Sequence, residues 1–560
     1  MTHITPRWNE RDLLWLMLAA LAVLAAGIGM RQPWPADEPR FALIAQTMVD
    51  TGNYLFPHRG HELYPDKPPL FMWLQVVAYR VTGNWNIAFL LPSLLAALGT
   101  IYLTFDLARR LWGRRAAALA GWMLLFTVQF TYQAKHAQID SVLVFLVTLS
   151  CYGLLRHMLL GPAWRWYALG FFAAGIGIIT KGVGIIAILV LPAFFIARAL
   201  GASRLALIAR APGRWWSGVV WMLLAIALWV VPMLIAVMQS GDPLLHDYAR
   251  NILLGQTAGR YGNPSHHFQR WWYFVEVVLT TWLPLMLVLP WALPALFRRW
   301  RRRRDGRIFV PVLWALLVLL FFSLSPGKRD MYILPALPML CVALAPGLRL
   351  ALSQKGCRRL LFGFTLVLAI ALLGGAIAAL TGEPEFEVKQ ELARGLDSDS
   401  NSHWWMLFVM GAIALIGALM FGVRRSWVGL RIALAGLWIV GFGFWGFPLF
   451  DDANSARGVM RRAGQIIGPQ AELGLVAWRE QNLLQADRSV TEFGFKQSPH
   501  EQLRRGIDWL AQTPAQRWLF ADAKHLGDCV NIGTTSPVGM ANRRHWVLLQ
   551  LPSVLARCQP

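Results

Sequence analysis

Residues 13–30 read LLWLMLAALAVLAAGIGM, eighteen positions without a charge. A helix of about 20 apolar residues crosses the roughly 30 Å hydrocarbon core of a bilayer. Arg7 and Arg11 precede this run, and no small-x-small cleavage site follows it. It therefore reads as an uncleaved first helix rather than a signal peptide. Similar runs recur near 86–104, 116–132, 141–158, 166–180, 183–198, 217–238, 273–297, 308–324, 332–347, 359–380, 404–423 and 428–448. The expectation is an α-helical polytopic membrane protein with about thirteen transmembrane helices.

The composition agrees. The 560 residues are 56% hydrophobic and 15% charged, against about 45–50% and about 25% in soluble domains. The net charge of +23 would suggest nucleic acid in a soluble protein. Here the basic residues cluster in short runs between apolar segments: Arg109-Arg110, Arg114-Arg115, Arg298 to Arg304, Arg358-Arg359 and Arg424-Arg425. With the N-terminus in the cytoplasm, loops 105–115, 199–216, 298–307, 348–358 and 424–427 all face inward and are Arg-rich. Loops 31–85, 239–272 and 381–403 face outward and are mixed or acidic. This is positive-inside patterning, and it excludes nucleic-acid binding as the use of the charge.

From about residue 451 the chain changes character. Leu473–Trp478, Trp518–Ala521 and His545–Leu551 alternate like strands, and 455–467 and 499–511 are amphipathic at helical spacing. The expected organisation is a transmembrane domain over 1–450, with outer loops 31–85 and 239–272, and an α/β domain over 451–560 on the outer side. Cys529 and Cys558 fall in this second domain, either bonded or as two free thiols.

Carboxylates are rare in the first 330 positions, and an ionisable residue at a membrane is expensive to keep. On the outer side, Asp37, Glu38 and Arg40 open a helical stretch with one apolar stripe, closed by Gly52. Asp37 is also its expected N-cap. Tyr64, Asp66 and Lys67 precede Pro68-Pro69. Asp140 follows Lys135, with which it could pair. Lys181 sits at another outer turn. Arg260, His266 and His267 lie in the loop 239–272, and Lys328, Asp330 and Tyr332 lie at the next outer turn. Asp37, Glu38 and Asp140 are the candidate catalytic carboxylates. Asp66, His266 and His267 are the candidates for a divalent metal, with no zinc motif present and no cofactor required by the pattern. The chain also lacks a GxxxxGK[ST] loop. A group transfer outside an inner membrane needs a donor that arrives activated, and a polyprenyl-phosphate sugar meets that need. Its phosphate calls for cations, and its sugar carbon for a nearby carboxylate.

The run Pro35-Ala36-Asp37-Glu38-Pro39-Arg40-Phe41-Ala42 resembles the first-loop motif of the C-type (GT-C) lipid-donor glycosyltransferases. The resemblance continues through Gly52-Asn53, Pro57-His58, Tyr64-Pro65-Asp66-Lys67-Pro68-Pro69, Ile139-Asp140, Ile179-Thr180-Lys181-Gly182 and Ser325 to Pro335. In this order the set is similar to the aminoarabinose transferase branch, related to protein O-mannosyltransferases, over roughly residues 1–450. The resemblance implies Asp37 as main catalytic carboxylate and Asp140 as a second acidic group. Arg40, Tyr64, Lys67, Lys181, Arg260 and Tyr332 would hold the lipid phosphate, with Lys328 beside them. It implies transfer of 4-amino-4-deoxy-L-arabinose from undecaprenyl phosphate to lipid A phosphates at the periplasmic face of a bacterial inner membrane, the modification behind polymyxin resistance. Asp66 stands where that branch carries glutamate, and the turn Lys328-Arg329-Asp330 is closer to other family members. Another sugar or a protein acceptor is the alternative. A lipid-linked-sugar flippase is the alternative of another class. It would place its ionisable residues near the bilayer midplane in repeated halves.

Overall fold

The computed structural model describes residues 11–206, 212–255, 268–382 and 401–559. The chain is a multi-pass helical membrane protein. Among the described residues, seven helices are long and apolar enough to cross a bilayer: Trp85–Trp112, Ile139–Leu160, Gly213–Ser240, Gly306–Leu324, Lys355–Leu380, Ser402–Phe421 and Val423–Phe444. An eighth is formed if Tyr273–Thr281 and Leu285–Arg303, bent by 103°, count as one span. The expected thirteen is not reached by this measure. Several apolar runs fold as shorter or interrupted helices. The first is helical only over Arg11–Ala25. The third breaks at Thr127 into Arg114–Phe126 and Val128–Ala134. Leu70–Thr82, Val183–Ala199 and Ala336–Ala351 are apolar but short. An apolar window reports what a segment can bury, and neighbouring helices offer that burial as well as lipid does.

The Arg-rich turns gather at one end of the bundle. Arg307 donates to the Leu111 carbonyl at 2.8 Å, Ser203 meets Arg304 backbone to backbone, and Arg114 pairs with Asp12 at the start of the first helix. The opposite end carries the helix Glu38–Thr51. It starts at Asp37 and ends at Gly52, whose φ of 72° is the left-handed turn that favours glycine. Its predicted stripe, Phe41, Ala42, Ile44, Ala45 and Met48, is buried. A short hairpin follows, β1 (His58–Arg59) and β2 (Glu62–Leu63).

The helices Ile139–Leu155 and Trp164–Lys181 run antiparallel and touch through glycines. A Cβ on Gly153 would lie 3.1 Å from the Gly170 Cα and collide with the Trp166 carbonyl. Small residues permit this approach, and it sets the start of one helix, at Asp140, beside the end of the other, at Lys181.

Residues 472–549 form a five-stranded mixed sheet, in the order β4 (Val490–Glu492), β3 (Glu472–Val476), β5 (Arg517–Asp522), β7 (Arg544–Leu549), β6 (Ser536–Ala541). Alternate side chains bury on opposite faces. Leu519, Ala521, Val547 and Leu549 pack with Leu503, Ile507 and Leu510 of the helix Pro499–Gln512. Leu473, Leu475, Phe520, Trp546 and Leu548 pack with Val459, Met460 and Ala463 of the helix Arg457–Ile467. The three strands and two helices expected from sequence fall on this unit, while β4 and β6 carry no strand signal in the sequence. Val490–Glu492 is too short for a periodic signal, and β6 contains Pro537 and Gly539, which read as turn residues.

Cys529 and Cys558 are bonded, with Cα atoms 5.5 Å apart and a sequence separation of 29. Closing a loop of that length stabilises by about 3–4 kcal/mol on the chain-entropy account. Cys558→Ser is expected to lower the melting temperature of this unit under oxidising conditions and to leave it unchanged when both proteins are reduced. Equal melting in both conditions would remove the bond from the stability of the fold.

Candidate active site

The frame of the site is a buried ion pair. Glu38 accepts from Arg31 at 2.5 and 2.7 Å, and its oxygens also take the backbone N–H groups of Trp34 and Ala137, each at 2.8 Å. Both side chains are inaccessible, Arg31 at 0% and Glu38 at 1%. Arg31 further donates to the Lys135 carbonyl and lies over the rings of Trp34 and Phe447. Burial works to raise the Glu38 carboxyl, but Arg31, His136 and the Trp34 N–H together outweigh it and hold the group below its usual range. Glu38 thus pins the first loop to the turn at 135–137. At 1% exposure it is engaged by these donors, unlike its neighbour Asp37.

Asp37, one position earlier, points elsewhere. It stands at the N-cap position but makes no side-chain cap bond. Its two oxygens face Arg40 at 3.4 Å and Arg329 at 3.2 Å instead. Asp140 accepts from Lys181 at 2.6 Å, not from Lys135, whose ammonium is on the Val23 and Ala26 carbonyls. Lys181 lies 5.1 Å from the centre of the Tyr332 ring. Burial lowers the proton affinity of Arg329, but Asp37 and then Asp140 outweigh it and raise the group. One guanidinium therefore senses both carboxylates. Asp37, Arg40, Asp140, Lys181, Arg329 and Tyr332, from four distant stretches of chain, share one cluster. The Asp140–Lys181 pair is nearly buried, at 8% and 10% exposure, while Asp37 and Arg329 open to solvent at 15% and 34%.

The second rim comes from the first loop and the C-terminal unit. Arg40 donates through Nε to Glu480 at 2.8 Å, and Arg59 approaches the same carboxylate at 3.6 Å. Arg59 also stands 3.5 Å from the centre of the Phe495 ring. Tyr64 is buried beside Arg40. Burial raises its hydroxyl to about 12, with Arg40 opposing. Burial would lower Arg40, but Glu480 and its neighbours outweigh it and raise the group. Lys67 donates to the Asp66 carbonyl at 3.1 Å.

One expected cation lies elsewhere. Lys328 is buried with its ammonium on the Gln269 carbonyl at 3.1 Å, and its neighbour Arg329 takes the place beside Asp37. Arg260, His266 and His267 lie outside the described residues. Among the described residues no three His, Cys, Asp or Glu side chains are grouped to hold a metal, Asp66 included. Arg329 was legible only as part of a motif. Glu480 and Arg59 carried no local signal.

A family model described as dolichyl-phosphate-mannose-protein mannosyltransferase matches residues 66–236. The chain is 32% identical over 348 residues to undecaprenyl phosphate-alpha-4-amino-4-deoxy-L-arabinose arabinosyl transferase 1 of Pseudomonas fluorescens, covering 61% of this chain and 60% of that protein. It is 30% identical to the corresponding transferase of Pseudomonas aeruginosa, over 62% of this chain and 61% of that one. The matched region thus spans about three fifths of these relatives' length. Among solved structures, the crystal structure of ArnT from Cupriavidus metallidurans bound to undecaprenyl phosphate superposes with a TM-score of 0.71. It covers 99% of this chain and 100% of that one at 21% identity, which shows the shared fold.

Proposed function

We propose that this chain is a C-type, lipid-donor glycosyltransferase that moves 4-amino-4-deoxy-L-arabinose from undecaprenyl phosphate to a lipid A phosphate. The observation that carries the reading is that Asp37 faces Arg40 and Arg329, while Asp140 holds Lys181 beside the Tyr332 ring. The relatives named for this transfer supply the donor and the sugar. In the step, the bond from the sugar's anomeric carbon to the carrier phosphate breaks, and a bond to an acceptor oxygen forms. Polyprenyl phosphate leaves with the electron pair. Arg40, Arg329 and Lys181 offset the charge that grows on it, with Tyr64, Lys67 and Tyr332 lining the approach. Asp37 orients the acceptor, or takes its proton where the acceptor is a hydroxyl. Its charge also favours an oxocarbenium-like sugar.

The reading places the protein in a bacterial inner membrane. The N-terminus and the Arg-rich end are cytoplasmic, and the site and the 451–560 unit are periplasmic. The Cys529–Cys558 bond supports an oxidising compartment, and the end-to-end asymmetry of arginine supports the orientation.

The test is mass spectrometry of lipid A from cells with and without the gene. An aminopentose adduct that disappears with the protein is expected. Unchanged lipid A would refute the acceptor. The match to the protein mannosyltransferase model favours one second reading, a protein acceptor. Glycosylated periplasmic proteins lost in the same comparison would establish it.

Glu480 is read as a positioning residue that holds Arg40 through Nε and leaves its other nitrogens toward the site. Glu480→Gln is expected to raise KM for the lipid donor about tenfold, or ~1.4 kcal/mol, with kcat little changed. An equal loss in kcat with KM unchanged would contradict this role.

A further inference from the structure

At the end of the bundle opposite Asp37 lies a cavity of about 290 Å³ with four arginines in its wall, Arg349, Arg358, Arg424 and Arg425. The two ends are linked by the helix Ala336–Ala351, which begins just after Tyr332 and carries Arg349 in its last turn. Sixteen residues of helix span about 24 Å, so this cavity is remote from the site above.

Five other arginines at this end are paired with carboxylates. Arg109 and Arg110 hold Asp106, Arg299 and Arg307 hold Asp305, and Arg114 holds Asp12. The four around the cavity have no carboxylate partner among the described residues. Arg358 is fixed instead by its Nε on the Leu352 carbonyl at 2.8 Å. Like charges converging on one concave space repel, and a bound anion is what relieves them.

A second observation is independent of charge. Ser426 also lines the cavity and is only 3% exposed, yet its hydroxyl has no hydrogen-bond partner among the described residues. A buried unsatisfied hydroxyl is costly unless something fills the space it faces. Ser426 begins the α-helical stretch Ser426–Gly436, which continues directly from the turn Val423–Arg425 that carries Arg424 and Arg425. Trp427 completes the wall, and Leu350 and Val423 next to it are exposed, at 54% and 38%. This mixture of guanidinium, indole and bare aliphatic surface suits the headgroup level of a membrane.

We propose that this cavity binds a phosphate group, carried by an anionic lipid headgroup or free in solution, between the arginines and the Ser426 hydroxyl. The reading does not depend on the transfer reaction.

The test uses the full chain in neutral detergent, by native mass spectrometry with added phosphatidylglycerol or phosphatidylcholine of the same acyl chains, and by thermal melting with inorganic phosphate. Wild type is expected to retain phosphatidylglycerol over phosphatidylcholine. R424Q/R425Q should weaken retention about tenfold, and S426A several-fold with an unchanged melting temperature in lipid-free detergent. R301Q/R302Q removes the same charge outside the cavity and should change nothing. Stabilisation by inorganic phosphate that R424Q/R425Q abolishes, without lipid adducts, would support the site and name free phosphate as its ligand. Equal retention of the two lipids with no phosphate effect would overturn the proposal. So would a loss in R301Q/R302Q as large as in R424Q/R425Q.

Discussion

Asp37→Asn is expected to reduce transfer by about a thousandfold in kcat while the protein still inserts and melts as wild type. Asp37 touches Arg40 and Arg329 at 3.4 and 3.2 Å, in a partly open setting. Ion pairs of that kind contribute little to stability, about 0–1 kcal/mol, so the fold should survive the change. Asparagine keeps the shape and loses two things: the charge facing the reacting carbon, and the anion that holds two guanidiniums toward the donor phosphate. The first loss should appear in kcat and the second in KM for the donor. The measurement is turnover of a polyprenyl-phosphate sugar by purified D37N, with its melting curve beside it. Turnover equal to wild type in a folded D37N protein would remove Asp37 from the mechanism.

Glu38→Ala should act in the opposite manner, costing about 3–5 kcal/mol of stability. It strips the carboxylate paired with a fully buried Arg31 and orphans the N–H groups of Trp34 and Ala137. The protein should accumulate poorly and melt early. The pH dependence follows from the sign of the shift. The folded carboxyl is held below its ordinary value of about 4.5, so its stabilisation is complete above that pH. It is lost as pH falls through the lower folded value. A Glu38→Ala protein should therefore show less acid sensitivity than wild type. A normal melting curve with abolished transfer would instead place Glu38 in the catalytic group.

The contrast between these two neighbours shows how far a linear reading reaches. The motif Asp37-Glu38-Pro39-Arg40 was visible as a cluster of charge at the start of a helix, and Gly52 marked the end of that helix. Nothing local separated the two carboxylates. Successive residues at a helix start point about 100° apart, and each meets different partners: Arg31, seven residues back, and the distant residue 137 for one, and Arg329, 292 positions away, for the other. Lys328 and Arg329 repeat the lesson. Both are cations in the same turn, and only the path of that turn decides that Arg329 meets Asp37 while Lys328 goes to Gln269. Glu480 lies 440 positions from Arg40 in a segment without a motif.

The amino-acid pattern by itself determined that this is a polytopic helical membrane protein with arginine at one end, acidic and mixed loops at the other, and a mixed α/β unit at the C-terminus. Those properties follow from burial and charge averaged over a helical turn or a strand, which short windows contain. Tertiary structure alone decided the length of the spans, the pairing of Asp140 with Lys181, the inward turn of Glu38 and the hold of Glu480 on Arg40. An ion pair depends on distances between groups whose separation in sequence runs to hundreds of residues, and periodicity along the chain carries no record of those distances.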